Sequence, residues 1–337
     1  MSTIFIVKET RKGEQRVALV PDDVRKVKSL GHQVIIESDA GLAAGFSDNA
    51  YKKAGGEIRK PDEQLTDLFH NVDLVLRVKR AQRAREILEN KTLSPTTLMI
   101  GFLDPLDQTT PHISEWENCG VSGLSLDQLQ LSDNDPINIL AVMSELTGSI
   151  ALDHMIKICQ RPSPQKLVVL GTGAVGKSAI RAGVKKNLSV LAIGRQETHR
   201  NEIENLGAKY SVMPENKSEQ LTWIQKHLKD ADLVLCSARQ RKMPAPILIN
   251  KETLSIMQKG TVVADLARTE GGNVEGSMND KTLILGNDVI VTNNTGYPKQ
   301  APYQASIAYS NGMVHLLKKL TKDQFQLDKI LSEGKCC

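Results

Sequence analysis

The chain has 337 residues, and its 43 lysines and arginines against 39 aspartates and glutamates leave a formal net charge of +4. At a prior of roughly 150 residues per domain, that length suggests two domains. So dilute a charge argues against a phosphate-backbone or anionic-membrane surface as partner, and no nucleic acid is expected. Five cysteines, at positions 119, 159, 236, 336 and 337, are odd in number and scattered. They favour reduced thiols in a cytoplasmic protein over a disulfide framework, and no metal site is expected.

The first residues, through Glu9, lack the basic leader and apolar core of a secretory signal and read as a strand. No run approaches the roughly 18 apolar residues that cross a bilayer. Short apolar runs at 4–7, 33–37, 74–78, 97–101 and 120–124 read as strands. Helical segments alternate with them, such as 21–30, where Pro21 opens a helix and Gly31 stops it. That alternation predicts an α/β unit with a largely parallel sheet. An Ala/Met/Leu/Ile-rich stretch at 136–158 has the length of a long helix joining two domains, and Gln160-Arg161-Pro162-Ser163-Pro164 ends it. A second α/β unit follows, with strands at 167–170, 189–193, 233–237, 261–265 and 289–293. The helical stretch 305–320 can fold back on the first unit, which would make that domain discontinuous in sequence. No internal repeat is visible, and the terminal Cys336-Cys337 pair reads as a polar end rather than a lipid-bearing one.

The run Leu167-Val168-Val169-Leu170 leads straight into Gly171-Thr172-Gly173-Ala174-Val175-Gly176, with a helix predicted to follow. This strand-turn-helix setting gives a dinucleotide fingerprint its meaning. Gly171 permits the tight turn, Gly173 lets backbone approach a pyrophosphate, Gly176 lets helix and strand pack closely, and the helix N-terminus offers N–H groups. The same letters also fit a P-loop, Gly171-x-x-x-x-Gly176-Lys177-Ser178, which would place Lys177 on terminal phosphates and Ser178 on Mg²⁺. A small GTPase, however, also carries a base-reading Asn/Thr-Lys-x-Asp. The nearest strings, Asn216-Lys217-Ser218-Glu219 and Asn250-Lys251-Glu252-Thr253, lack the aspartate. The dinucleotide reading is therefore preferred, and NAD(H) or NADP(H) is the expected cofactor. The second strand of the unit ends in Gly194-Arg195 instead of a carboxylate; Arg195 could stack on adenine or pair with a 2′-phosphate, and Glu197 could still supply a carboxylate.

Segments spread along the chain resemble the alanine dehydrogenase and pyridine-nucleotide transhydrogenase α-subunit family. They include Val7-Lys8-Glu9-Thr10 with Gln15-Arg16-Val17-Ala18-Leu19-Val20-Pro21, Gly45-Phe46-Ser47-Asp48, and Leu74-Val75-Leu76-Arg77-Val78-Lys79. Further on come Met143-Ser144-Glu145, the glycine turn, Ala264-Asp265-Leu266-Ala267, Gly271-Gly272-Asn273 and Tyr309-Ser310-Asn311. The resemblance implies two Rossmann-like domains with a cleft for the nicotinamide: a substrate-side domain from 1–138 plus 300–337, and an NAD(P)-binding domain at 139–299. It also implies a homodimer or larger assembly. In the dehydrogenase branch, Arg16 and Lys79 match the positions that bind a small carboxylate substrate. That branch's proton-handling histidine falls at Phe102-Leu103-Asp104-Pro105, making Lys79 and Asp104 the catalytic candidates, and its aspartate falls on Thr269.

The transhydrogenase branch passes hydride directly between two nicotinamides and needs neither proton carrier, so those departures do not count against it. Its Arg…Gln…Asp loop aligns with 129–138, where only the preceding Asp127-Gln128 matches, and separate membrane subunits would be its partners. A nucleotide-binding module without chemistry is a third expectation. Around the expected nicotinamide stand Ser237, Ala238, Arg239, Asn294 and Thr295. His112 reads as a helix-start residue, and Trp116 and Trp223 as packing residues.

Overall fold

Apolar, β-branched runs alternating with helices build two sheets in the computed structural model, which describes residues 2–61, 68–69, 71–107, 109–132, 134–239, 243–267, 271–322, 334 and 336. The chain starts with β1 (Thr3–Ile6), α1 (Pro21–Ser29), β2 (Gln33–Glu37), α2 (Asp48–Lys53), β3 (Glu57–Arg59), β4 (Leu74–Lys79), α3 (Arg83–Glu89), β5 (Leu98–Phe102), α4 (His112–Asn118) and β6 (Ser122–Ser125). It continues with α5 (Ile139–Ile158), β7 (Lys166–Leu170), α6 (Ala174–Lys185), β8 (Ser189–Gly194), α7 (Arg200–Asn205), β9 (Lys209–Val212), α8 (Lys217–Leu228) and β10 (Leu233–Cys236). The last elements are α9 (Lys251–Ile256), β11 (Val262–Asp265), β12 (Thr282–Leu285), β13 (Val289–Thr292) and α10 (Pro302–Lys322). These elements form two units, Met1–Met143 with Ala301–Cys337, and Ser144–Gln300.

The first unit holds a parallel sheet of order β3-β2-β1-β4-β5-β6. Phe5 pairs with Ile35 on one side and Val75 on the other, and all three are buried. Strands of a parallel sheet bury both faces, which is why they read as unbroken apolar runs. Helix α10 belongs to this unit and ties down the loop after β1. The Ser306 and Ser310 hydroxyls accept the Val17 and Val20 N–H groups at 3.0 Å, and Tyr309 donates to the Arg77 carbonyl at 2.8 Å. The half-buried Cys336 packs against the same unit's core, while Cys337 lies outside the described residues.

The second unit's sheet runs β12-β13-β11-β10-β7-β8-β9, parallel except for β12, which is antiparallel to β13. Without β12, its strands follow the same order as the first sheet, so a repeat invisible in the sequence is present in the fold. Side chains alternate across β7: Leu167 and Val169 pack with Ala151, Leu152, Ala179 and Ile180 of α5 and α6, whereas Val168 and Leu170 pack with Ile224, Leu228 and Leu254 of α8 and α9.

Helix α5 begins at Ile139 rather than at 136, because the Asn138 carboxamide caps it by accepting the Ala141 N–H at 2.9 Å. By length and overall composition it would be long and apolar enough to cross a membrane, although Glu145, Asp153 and Lys157 interrupt its apolar run. Its Ala151, Leu152 and Met155 are core residues of the second unit.

Candidate functional site

Ligands of doubly wound sheets bind outside the strand carboxyl ends where the strand order reverses. In the second unit that point lies between β7 and β10. The turn there is three residues long: β7 ends at Leu170 and α6 starts at Ala174. Gly171 adopts φ +105°, and a Cβ on it would meet the Ala238 nitrogen at 2.8 Å. A Cβ on Gly176 would come 1.9 Å from the Gly171 oxygen, so Gly176 lets the helix lie against its own turn. Gly173 is different, since nothing lies within 4 Å of where its Cβ would be.

Gly173 is also the N-cap of α6 and offers no side chain to the helix's first N–H groups. Helices α2, α8 and α9 have theirs capped by Ser47, Asn216 and Asn250. The uncapped donors open on a cavity of about 850 Å³, lined by the predicted positions Gly171, Thr172, Gly173, Ala174, Val175, Arg195, Ser237, Ala238 and Arg239. Gly176 lies behind the turn, and Asn294 does not line the cavity; its neighbour Asn293 points inward, donating to the Asp265 carbonyl at 2.6 Å. Sequence reading missed Gln196 and His199, which also line it. The Thr172 hydroxyl and His199 Nδ1 are 2.8 Å apart.

The turn's geometry disagrees with a P-loop. With α6 starting at Ala174, Lys177 and Ser178 are already helical, so no long loop is left to wrap a triphosphate. Lys177 Nζ sits 2.9 Å from Glu202, and the buried Ser178 hydroxyl donates to the Glu145 carbonyl of α5.

The loop after β10 is held by residues quoted above only for their resemblance. Asn273, fully buried, accepts the Ala238 N–H at 3.0 Å and donates to the carbonyls of Ala238 and Pro246 at 2.9 and 2.8 Å. Asn273 is fixed in turn by buried Asp265, whose carboxylate accepts the Asn273 and Val274 N–H groups and, at 2.6 Å, the Ser277 hydroxyl. No sequence signal short of the family pattern marks this pair, because its partners are remote in the chain.

The first sheet reverses between β1 and β4, and the other candidate residues gather at the ends of β1, β4 and β5. Lys79 Nζ lies 3.9 Å from Asp104 and 5.0 Å from the Phe102 ring centroid. Burial pushes the Lys79 ammonium below its usual range against the pull of Asp104, and Arg16 and Arg11 add to the lowering. Asp104 adopts φ +52° and also contacts Arg11, a residue the sequence did not single out. Arg16 is buried and bidentate on Glu14, with Nε and Nη2 each 2.7 Å from a carboxylate oxygen. Glu9 accepts the Val78 and Lys79 N–H groups at 2.6 and 3.2 Å; burial raises its carboxyl to about 7 despite the nearby Arg77 charge. Asp127 accepts the Ser125 hydroxyl, and Asn138 caps α5. Thr269 lies outside the described residues. Buried His112 starts α4 beside Arg80, and buried Trp116 packs in the first unit's core.

A doubly wound sheet with an uncapped glycine turn at its reversal point defines a protein of the dinucleotide-binding class. The chain belongs to the alanine dehydrogenase/PNT family: that family's N-terminal domain matches residues 5–147 and its C-terminal domain residues 146–335. It is 27% identical over 345 residues to the NAD(P) transhydrogenase subunit alpha of Cereibacter sphaeroides, covering 93% of this chain and 64% of that relative, less than two thirds of its length. It is 26% identical over 294 residues to alanine dehydrogenase 1 of Staphylococcus aureus (strain NCTC 8325 / PS 47), covering 81% of this chain and 74% of the relative. The crystal structure of transhydrogenase from Sinorhizobium meliloti shares the fold, with a TM-score of 0.86 at 24% identity over 99% of this chain and 96% of that one.

Proposed function

We propose that this chain is an oxidoreductase that binds NAD(H) or NADP(H) on the β7–α6 turn and passes hydride between nicotinamide nucleotides, in the manner of a transhydrogenase α subunit. The observation that carries the reading is the joint placement of Gly171, Gly173, Ala174, Val175, Arg195, Ser237 and Ala238 around one cavity, with the α6 N–H groups uncapped. These groups fit a dinucleotide: bare helix N–H donors suit a pyrophosphate, and Gly173 leaves room for its approach. When bound, the dinucleotide supplies a hydride donor or acceptor. The protein's own part is to hold the phosphates with α6 and to fix the loop at Ser237 and Ala238 through Asn273. As a member of a multi-subunit enzyme the chain would work on the cytoplasmic side, as a dimer or larger, with separate membrane subunits as partners.

A second reading, an amino-acid or imino-acid dehydrogenase, is favoured by the approach of Lys79 to Asp104. It is weakened by Arg16, whose Nε/Nη2 edge is already occupied by Glu14 and whose Nη1 lies on the Met143 sulfur at 3.3 Å. Titrating the purified chain with NADH and NADPH, then following reduced-cofactor absorbance against an oxidised analogue and a panel of amino acids, separates the readings. Hydride exchange without amino-acid oxidation supports the first. Amino-acid oxidation that Lys79→Ala abolishes supports the second, and no dinucleotide binding at millimolar concentration defeats both.

A further inference from the structure

In a doubly wound dinucleotide site, the end of the second strand distinguishes the two cofactors. A carboxylate there hydrogen-bonds the ribose hydroxyls of NAD(H), and a cation there accommodates the 2′-phosphate of NADP(H). In the second unit this strand is β8, and it ends at Gly194. A Cβ on Gly194 would lie 2.2 Å from the Tyr210 hydroxyl and 3.0 Å from two of its ring carbons. Tyr210 is held in place: it is buried on β9, donates to the Gln196 carbonyl at 2.6 Å, and carries the Arg200 guanidinium 5.4 Å from its ring centroid. The position from which a carboxylate would reach the ribose is therefore filled by an aromatic ring.

The next two carboxylates in the chain are turned to other work. Glu197 is paired with Arg200, and Glu202 with Lys177 at 2.9 Å. Among the described residues, no aspartate or glutamate lines the cavity. Arg195 does line it, immediately after Gly194; it is exposed, and among the described residues it makes no hydrogen bond or ion pair. His199 lines the same cavity, and in the tautomer in which the Thr172 hydroxyl donates to Nδ1, its Nε2–H is available as a second donor. A phosphate monoester carries roughly −1.5 to −2 charges at neutral pH and suits the forked donors of an arginine.

We infer that this pocket selects the 2′-phosphorylated dinucleotide, NADP(H), over NAD(H), with Arg195 as the residue that receives the 2′-phosphate. The inference rests on the reading of the pocket as a dinucleotide site.

The test is calorimetric titration of the full chain with NADPH, NADH, 2′,5′-ADP and 5′-AMP, in wild type, Arg195→Ala and Arg195→Lys. Wild type is expected to bind NADPH at least about 10-fold more tightly than NADH, the worth of one charge-assisted hydrogen bond. For the same reason, 2′,5′-ADP is expected to outcompete 5′-AMP. Arg195→Ala should lose that advantage, its NADPH affinity falling at least about 10-fold further than its NADH affinity, and Arg195→Lys should keep part of it. NADPH binding should also weaken with added salt more than NADH binding does. Equal or tighter NADH binding by wild type, or an equal loss of both nucleotides in Arg195→Ala, overturns the inference and leaves the dinucleotide reading standing. Binding of neither nucleotide overturns both.

Discussion

Replacing Gly173 by alanine separates what the glycine turn does for the fold from what it does for a ligand. The residue sits at φ −74°, which any L-residue adopts, and its missing Cβ points into open space. Loss of glycine from an N-cap costs about 0.5–1 kcal/mol, and the reduced freedom of the unfolded chain returns about 0.4–1 kcal/mol. The two nearly cancel, so the urea midpoint should barely change and the melting temperature should move by less than about 2 °C. Dinucleotide binding has no such compensation. A methyl group at this place stands between the α6 N–H donors and a pyrophosphate, and each charge-assisted hydrogen bond lost is worth about 1.5–3 kcal/mol. Affinity should therefore fall at least about 10-fold, measured by fluorescence titration with the reduced dinucleotide. Gly176→Ala is the contrasting control. Its Cβ would strike the Gly171 oxygen at 1.9 Å, so it should lose about 1–3 kcal/mol of stability as well as affinity. A folded Gly173→Ala protein with wild-type affinity would refute the assignment of this turn to the phosphates.

Other outcomes follow from the same geometry. Glu9 has its carboxyl raised by burial from 4.5 to about 7, so between those values the unfolded chain releases a proton that the folded chain keeps, and stability should fall as pH rises from about 4.5 to 7. Glu9→Gln should flatten that slope, by at most about 3 kcal/mol across the window in urea titrations; an unchanged slope contradicts the assignment. Asp265→Ala strands the buried N–H groups of Asn273 and Val274 and the Ser277 hydroxyl, and should cost about 3–5 kcal/mol, against which a loss under 1 kcal/mol would count. Lys177→Ala should change stability by less than about 1 kcal/mol and leave dinucleotide affinity within about twofold, because its ammonium faces Glu202; a collapse of nucleotide binding would restore the P-loop geometry.

The strands legible in the sequence are those buried on both faces. The runs around Phe5, Ile35, Val75, Val168, Leu235, Val263 and Val291 are apolar but for the buried Arg77 in the run of Val75, and each forms a strand of its sheet. The three that escaped notice, β3, β9 and β12, lie at sheet edges and carry Glu57, Lys209 and Thr282 in exposed positions, so their apolar signal is broken. The glycine turn was legible because its meaning depends on adjacent residues, a strand before and a helix after. The rest of the site depends on contacts between distant positions. Tyr210 filling the space beside Gly194, and Asp265 and Asn273 holding Ala238, are products of packing, and composition or spacing does not announce them.

The central claim is that the turn from Leu170 to Ala174 holds the pyrophosphate of a nicotinamide dinucleotide. A crystal structure of the chain soaked with NADPH tests it most directly. Pyrophosphate density is expected within hydrogen-bonding distance of the N–H groups that open α6, in the cavity lined by Gly173 and Ala174. Dinucleotide density elsewhere on the chain, with this turn unoccupied at saturating ligand, would contradict it.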